Sequence, residues 1–232
     1  RKARTAARRR ARRMEEGVLR DRVQRSDMAA ETVYDFRRLE ERHHLLLPCK
    51  IEEEKETVCM RFDLRGMQVL EEIREADGPV KLAVLLQAAE LQELYMKYEF
   101  SMEPENLYYD ILGRVRVKRR DVIRHCGKDR EKDFLRRYQA LIGYVLDGSR
   151  PYEDYLYEGF ELLNAGDDLA DFLEPETVQE EKKVLTEHYE NLLQEEKRYM
   201  RGAEVKKYRR LVRLYAVTVV LALIFLAVIL YI

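Results

Sequence analysis

The final 19 residues constrain this chain more than any other stretch of its sequence. Residues Leu214–Ile232, LYAVTVVLALIFLAVILYI, contain no charged residue, no proline and no glycine. As a helix with a rise of about 1.5 Å per residue, they would extend roughly 28 Å, close to the hydrocarbon thickness of a bilayer. A helix buried in a soluble domain is rarely apolar on every face. The stretch therefore predicts a transmembrane helix.

The residues just before this stretch predict its orientation. They include five basic residues: Lys206, Lys207, Arg209, Arg210 and Arg213. Basic residues next to a membrane span stay on the cytoplasmic side. We therefore expect a single-pass protein of the cell membrane, with residues 1–213 in the cytoplasm and the basic flank at the bilayer. Two alternatives stay open, a tail anchor or a further domain beyond Ile232.

Charge is unevenly distributed along the rest of the chain. The 43 basic and 44 acidic residues nearly balance, yet Arg1–Arg13 holds eight basic residues and no acidic one. A block of this kind is typical of a solvated tail or of contact with anionic lipid. It lacks the aromatic residues that stack on nucleic-acid bases, so no nucleic-acid partner is expected. The predicted organisation is a charged tail (1–27), a cytoplasmic domain (28–175), a charged juxtamembrane helix (176–213) and the span (214–232).

Cysteine and histidine give no sign of a metal or redox site. Cys49, Cys59 and Cys126 are odd in number and far apart, which is typical of free thiols in a reducing compartment. The pair His125–Cys126 has no second ligand pair near it in the sequence. We expect neither a metal nor a cofactor.

Periodicity predicts a mixed α and β domain. Val58, Met60, Phe62 and Leu64 alternate with polar residues, as one face of a strand does. The predicted strands are Leu45–Ile51 and Glu56–Leu64, joined as a hairpin, then Tyr98–Met102, Leu107–Tyr109 and Val115–Val117. The predicted helices are a short one within 28–42, then Met67–Ala76, Pro79–Lys97, one from Asp129 to Gly148, one from Tyr152 to Leu163, and the juxtamembrane helix.

A seven-residue repeat marks the juxtamembrane helix. Val178, Leu185, Leu192 and Tyr199 recur at this spacing. Two interpretations stay open: packing of the helix on its own domain, or contact between two copies in a dimeric stalk.

One motif resembles the catalytic loop of a protein kinase. It runs FSMEPENLYYD from Phe100 to Asp110, followed by the turn glycine Gly113 and the strand Val115–Val117. The resemblance implies an α+β fold, a reduced two-lobed protein-kinase-like (pseudokinase) domain with a mostly helical large lobe, followed by one transmembrane helix.

The departures from the kinase pattern argue against catalysis. Ser101 stands where a kinase has its catalytic Asp, and Glu103 stands where a phosphate-facing Lys would lie. Asn106 is retained, but Arg119 replaces the metal-binding Asp of the Asp-Phe-Gly motif, and a cation there would repel Mg²⁺. No glycine-rich phosphate loop precedes the motif. We therefore expect no enzymatic activity, with a divergent ATP-binding membrane kinase as one alternative.

The order of motifs resembles the YukC/EssB family of type VII secretion systems. The motifs are the Phe100–Val117 stretch, DFLRRYQALIGYVLDG (Asp133–Gly148), YEDYLYEGFELL (Tyr152–Leu163), and the basic flank with its span. The resemblance implies a non-catalytic, commonly dimeric membrane scaffold that acts with an FtsK/SpoIIIE-like motor ATPase, a small ubiquitin-like subunit and WXG100 cargo. A tail-anchored cytoplasmic adaptor is the other alternative.

Tyrosine-rich helices are the predicted partner surface. Tyrosine is enriched at protein interfaces, and the candidates are Tyr138, Tyr144, Tyr152 and Tyr155. The alternative is that these rings form the core of the domain.

Overall fold

A computed structural model describes residues 17–124, 129–157 and 175–200. Within these ranges no helix is both long and apolar enough to cross a bilayer. The predicted span, its basic flank from Lys206 to Arg213 and the block Arg1–Arg13 lie outside the described residues. The chain divides into two compact units between Glu187 and His188. In the second unit, residues 188–200 are helical.

The first unit begins with a three-stranded antiparallel sheet. Its strands are β1 (Val18–Gln24), β2 (Cys49–Glu53) and β3 (Thr57–Asp63), with β3 in the centre. The hairpin of β2 and β3 confirms the predicted strand pairing. Val58, Met60 and Phe62 are at most 2% exposed and form the core face of β3. The alternating apolar residues predicted from the sequence therefore form the buried inner face of this sheet.

Strand β1 corrects the predicted boundary of the N-terminal tail. The sequence places residues 1–27 in a charged tail, whereas Val18–Gln24 pair along the whole of β3. Val23 is buried, while Arg20 and Arg22 are exposed on the outer face. A strand with one charged face and few apolar residues resembles a solvated segment until its partner strand is known.

Two further small sheets follow. Strands β4 (Met67–Val69), β6 (Leu107–Asp110) and β7 (Val115–Val117) form an antiparallel sheet in the order β4-β6-β7, and β5 (Tyr98–Glu99) pairs with β8 (Asp121–Val122). The predicted helix Met67–Ala76 is wrong. It is replaced by β4 and a 3-10 helix, Leu70–Glu75, because Leu70 and Ile73 at a spacing of three fit either kind of helix.

The described part of the first unit also contains five short or medium-length α-helices before residue 158. They are α1 (Val33–Leu39), α2 (Gly78–Ala88), α3 (Leu91–Tyr95), α4 (Arg130–Leu146) and α5 (Tyr152–Tyr157). Thr32 and Asp35 form a reciprocal capping box at the start of α1. The predicted helix Pro79–Lys97 is divided into α2 and α3, because the Glu90 amide donates to the Gln87 carbonyl three residues back and tightens the turn.

Helix α4 lies at the centre of the core. Its predicted apolar stripe is confirmed, since Phe134, Leu141, Ile142 and Val145 are fully buried. The Tyr138 hydroxyl donates to the Leu85 carbonyl at 2.7 Å, so the buried ring leaves no unpaired hydroxyl.

Residues 175–187 pack on this core rather than forming part of a free stalk. Val178 and Leu185, the first two positions of the seven-residue repeat, are buried. The Gln139 amide of α4 donates to the Pro175 carbonyl at 3.2 Å and to the Glu181 carboxylate at 3.3 Å. The predicted domain boundary at residue 175 therefore moves to Glu187. For this part of the repeat, packing on the same domain is the interpretation that holds.

One buried carboxylate makes this packing sensitive to pH. The Glu181 side chain is fully buried, and its Oε1 atom has no hydrogen-bond partner. Burial raises the pKa of Glu181 to about 7, although the hydrogen bond from Gln139 opposes the change. The folded chain therefore binds a proton at Glu181 more tightly than the unfolded chain does.

We predict that the free energy of unfolding decreases as pH rises from about 5 through 7, because ionisation of Glu181 is opposed in the folded state. The loss reaches up to roughly 3 kcal/mol above the folded-state pKa. Glu181→Gln removes the charge, so this variant should lose most of the pH dependence and exceed the wild type in stability at pH 8. Urea unfolding followed by circular dichroism at several pH values measures both effects.

Glu187→Gln is the matched control, because Glu187 is exposed and lies one and a half turns further along. This variant should keep the wild-type pH dependence. An identical pH dependence in Glu181→Gln would contradict the assignment.

Candidate functional site

The loop that resembles a kinase catalytic loop connects β5 to β6. Phe100, Met102 and Pro104 are buried along it, and Pro104–Asn106 form one turn of 3-10 helix. Apolar side chains anchor the loop at every second residue from Phe100 to Pro104, which fixes its path into β6. The predicted site residues Ser101, Glu103, Asn106 and Arg119 therefore have defined positions.

Asn106 joins both ends of this loop to the segment after β7. Its Nδ2 atom donates to the Ser101 carbonyl at 2.9 Å and to the Arg119 carbonyl at 3.0 Å. Its Oδ1 atom accepts from the Arg119 amide at 2.8 Å. The side chain is nearly buried, and every one of these bonds is internal to the domain. Asn106 thus acts as a clamp between two backbone segments.

Arg120, which the motif comparison would align with the Phe of Asp-Phe-Gly, is almost fully buried. Its guanidinium donates to the Leu47 carbonyl at 2.9 Å, to the Lys118 carbonyl at 3.3 Å and, through two nitrogens, to the Leu39 carbonyl. Burial lowers the pKa of Arg120. Carbonyl oxygens rather than a carboxylate compensate the charge.

Asp121, the third residue of the same segment, holds the N-terminal segment in place. Its two carboxylate oxygens accept from the Ala29 amide at 2.6 Å and from the Ala30 amide at 2.9 Å. Nearby, Arg124 donates to the Met28 carbonyl. A carboxylate that accepts two backbone amides fixes the segment that leads into α1. The side chains of Arg120 and Asp121 therefore hold backbone of other segments, while Arg119 is held through its own backbone by Asn106.

Ser101 and Glu103 carry no comparable network. The Ser101 hydroxyl accepts from the Glu103 amide at 3.1 Å, a local turn contact. The Glu103 side chain is exposed. Among the described residues, no three His, Cys, Asp or Glu side chains are grouped so that they could hold a metal ion.

A cleft of about 390 Å³ lies beside the loop, lined by Glu103, Glu105, Tyr144 and Tyr152 among others. The Arg74 guanidinium stacks 3.9 Å from the centre of the Tyr144 ring and also donates to the Arg150 carbonyl. In this cation–π contact, a residue of the same domain already covers one face of the Tyr144 ring. Three of the lining residues, Arg74, Tyr144 and Arg150, thus already interact with one another.

The four tyrosines predicted as a partner surface are buried. Tyr138, Tyr144, Tyr152 and Tyr155 are each at most 7% exposed, so the prediction of an exposed tyrosine surface is wrong and the core alternative applies. The hydroxyl of Tyr152 donates to the Arg137 carbonyl at 3.2 Å, and that of Tyr155 donates to the Asp147 carboxylate. A tyrosine whose hydroxyl finds an internal acceptor packs as a core residue.

An exposed aliphatic pair was not predicted from the sequence. Ile111 is 99% exposed and Leu112 is 69% exposed, at the tip of the β6–β7 hairpin. Asp110 fixes the tip, because its Oδ1 atom accepts from the Leu112 amide at 2.9 Å and from the Arg114 amide at 3.0 Å. Gly113 supplies the positive φ of 76° that the turn requires. The signal in the sequence was an Ile-Leu pair in a turn where polar residues are usual.

The Asp110 carboxylate is itself held in the ionised form. It forms an ion pair with Arg114 at 2.6 Å. Burial acts to raise the pKa of Asp110, but the hydrogen bonds from Arg114 and Leu112 outweigh it and lower this pKa. The tip therefore keeps its shape at neutral pH.

Comparison with known proteins agrees with the resemblance seen in the motifs. The family model described as "WXG100 protein secretion system (Wss), protein YukC" matches residues 23–232. No curated protein sequence matches the chain.

Two solved structures show the same fold. The cytoplasmic fragment of Staphylococcus aureus EssB is 22% identical, with a TM-score of 0.61 over 73% of this chain and 99% of that fragment. The cytoplasmic fragment of Geobacillus thermodenitrificans EssB is 16% identical, with a TM-score of 0.62 over 77% of this chain and 87% of that fragment. Since the family model matches most of the sequence, the chain belongs to the YukC family of the WXG100 protein secretion system.

Proposed function

We propose that the chain is a non-catalytic membrane scaffold of a bacterial type VII secretion machine, and that its kinase-like cytoplasmic domain docks other components. The observation that carries this proposal is that the side chains of Asn106 and Arg120 hold backbone, including the backbone of Arg119. A kinase needs the equivalent positions for metal ions. In this chain the same positions hold the domain together.

Metal binding at this loop would compete with folding. Asn106 would have to release the Arg119 amide, and a buried amide without a partner costs about 1–3 kcal/mol. A metal would also meet the positive charge of Arg119 instead of a carboxylate. Both effects favour a structural role for the loop over phosphoryl transfer.

The placement of the scaffold follows from the sequence outside the described residues. We propose that residues 214–232 span the cell membrane once, that the flank from Lys206 to Arg213 lies at the cytoplasmic surface, and that residues 1–213 face the cytoplasm. The proposed partners are a second copy of the chain, an FtsK/SpoIIIE-like ATPase, a ubiquitin-like subunit and WXG100 cargo.

The hairpin tip supplies a docking surface for such a role. Ile111 and Leu112 lie on a turn that Asp110 and Gly113 hold rigid, so their display to solvent does not arise from a loose loop. Covering each side chain is worth about 1.5–3 kcal/mol. A protruding aliphatic pair of this kind suits a hydrophobic pocket of a partner protein.

We predict that Asn106→Asp destabilises the chain by about 1–3 kcal/mol, because the carboxylate cannot donate to the carbonyls of Ser101 and Arg119. At a metal site the same substitution would keep or improve Mg²⁺ binding. Urea unfolding with and without Mg²⁺ and ATP distinguishes the two outcomes.

The wild type provides the control for this experiment. Its unfolding should not change on addition of millimolar ATP and Mg²⁺. A stabilisation of the wild type by ATP and Mg²⁺ that Asn106→Ala abolishes would overturn the non-catalytic assignment.

We predict that Ile111→Asp/Leu112→Asp lowers co-purification of the FtsK/SpoIIIE-like ATPase by roughly tenfold or more, since two buried aliphatic contacts would be lost. The melting temperature should stay unchanged, because neither side chain is buried within the chain.

Val33→Asp/Tyr34→Asp is the matched control. These two residues form another adjacent exposed pair, at 62% and 76%, on helix α1. Equal loss of co-purification in both double variants would show a general effect of surface charge and would count against the hairpin tip.

A further inference from the structure

A groove of about 710 Å³ lies at one end of the N-terminal sheet, where β1 begins, β3 ends and β2 begins. Val18 and Pro48 provide its accessible apolar lining, whereas Phe62, which also borders it, is buried on the core face of β3. All three strands therefore contribute to the groove.

The charges around the groove are mainly positive. Arg42, Lys50, Arg61 and Arg65 line it, against two carboxylates, Glu40 and Asp63. Both carboxylates are engaged within the fold. Glu40 accepts from the Ile51 amide at 2.6 Å, and Asp63 pairs with Arg65 at 2.6 Å.

Two of these cations have no internal partner. Within the ranges that the structure describes, neither Arg42 nor Lys50 makes an ion pair or a side-chain hydrogen bond, and both are exposed. The strand register adds Arg20, which lies opposite Arg61 and on the same face as Lys50. The rim of the groove therefore has positive charge available for a ligand.

The positive charge around the groove affects the pKa of a neighbouring carboxyl group. The hydrogen bond from Arg61 lowers the pKa of Glu52, and the charges of Arg61, Arg20 and Lys50 lower it further. Burial raises the pKa of the Cys49 thiol to about 11, so this residue stays neutral and adds no negative charge to the groove.

The edge of β2 already holds one carboxylate. The Glu40 side chain binds the outward-facing Ile51 amide, which shows the geometry that an acidic group adopts there. A peptide that lies in the groove would place further carboxylates within reach of Arg42 and Lys50. Its aliphatic side chains would cover the apolar lining.

We propose that this groove binds an acidic segment of a partner protein, in which Asp or Glu residues alternate with aliphatic or aromatic ones. A peptide fits better than a bilayer surface, because the groove is concave and its apolar lining residues Val18 and Pro48 are not buried within the fold, so they can meet the side chains of a peptide. The proposal rests on the docking role stated above and gives the chemistry of one partner. The hairpin-tip experiment does not depend on it.

The test is a selection of nine-residue peptides from an unbiased displayed library on the full chain. The selected peptides should be enriched in Asp and Glu next to aliphatic or aromatic residues. A synthetic selected peptide, measured by fluorescence anisotropy, should bind Arg42→Glu/Lys50→Glu about tenfold or more weakly than the wild type, because two attractions become repulsions. Added salt should weaken wild-type binding.

Arg37→Glu/Lys55→Glu is the matched control, because it changes the net charge equally at two exposed residues outside the groove. It should bind the peptide as the wild type does. Arg42→Gln/Lys50→Gln, which removes the charges without adding acids, should show an intermediate loss and serves if the charge reversal impairs folding.

Three results would overturn the proposal. The first is a selection without enrichment of acidic residues. The second is equal binding by the wild type and the groove variants. The third is competition at the groove by soluble short-chain phosphatidylglycerol with no acidic peptide enriched, which would assign the surface to lipid.

Discussion

The buried guanidinium of Arg120 is the interaction on which the N-terminal half of the domain depends. It binds carbonyls at the end of α1, before β2 and after β7, and so joins three segments that are distant in sequence. A buried charge destabilises the folded state unless hydrogen bonds compensate it. Loss of one hydrogen-bond partner would leave the Arg120 charge partly uncompensated. Because the acceptors of Arg120 are backbone carbonyls, substitution of the side chains at those positions does not remove them. Asp121, the next residue, accepts hydrogen bonds from the amides of Ala29 and Ala30 and so fixes the segment that leads into α1.

The same interaction accounts for the character of the candidate site. In the proposed comparison with a kinase, Arg119, Arg120 and Asp121 take the place of a metal-binding carboxylate and a mobile segment. In this chain the side chains of Asn106, Arg120 and Asp121 hold backbone, so flexibility and metal binding would each disturb the core. The structural use of the loop supports the scaffold proposal more directly than the replacement of the catalytic Asp by Ser101 does. A missing base affects only proton transfer, whereas a loop whose Asn106 side chain is bound internally does not offer it to a metal ion.

Local patterns predicted the elements whose burial follows from their own sequence. The alternation in β3 and the stripe of α4 are of this kind, since each face is set by residues two, three or four positions apart. Strand β1 could not be found in this way, because its place depends on pairing with β3, some 40 residues away in the chain. The tyrosines show the same limit. Tyr152 is buried and its hydroxyl donates to the Arg137 carbonyl, an acceptor 15 residues away that composition does not reveal.

Among the described residues, two surfaces that the fold leaves available differ in chemistry. The hairpin tip offers Ile111 and Leu112, held by a turn whose geometry is local to residues 110–114. The groove beside β2 offers Arg42 and Lys50, brought together by a sheet edge and the segment after α1. An apolar tip contributes affinity, whereas unpaired cations chiefly select a partner and speed its approach. A scaffold that must hold several components apart needs such separate surfaces, since one shared surface would make its partners compete.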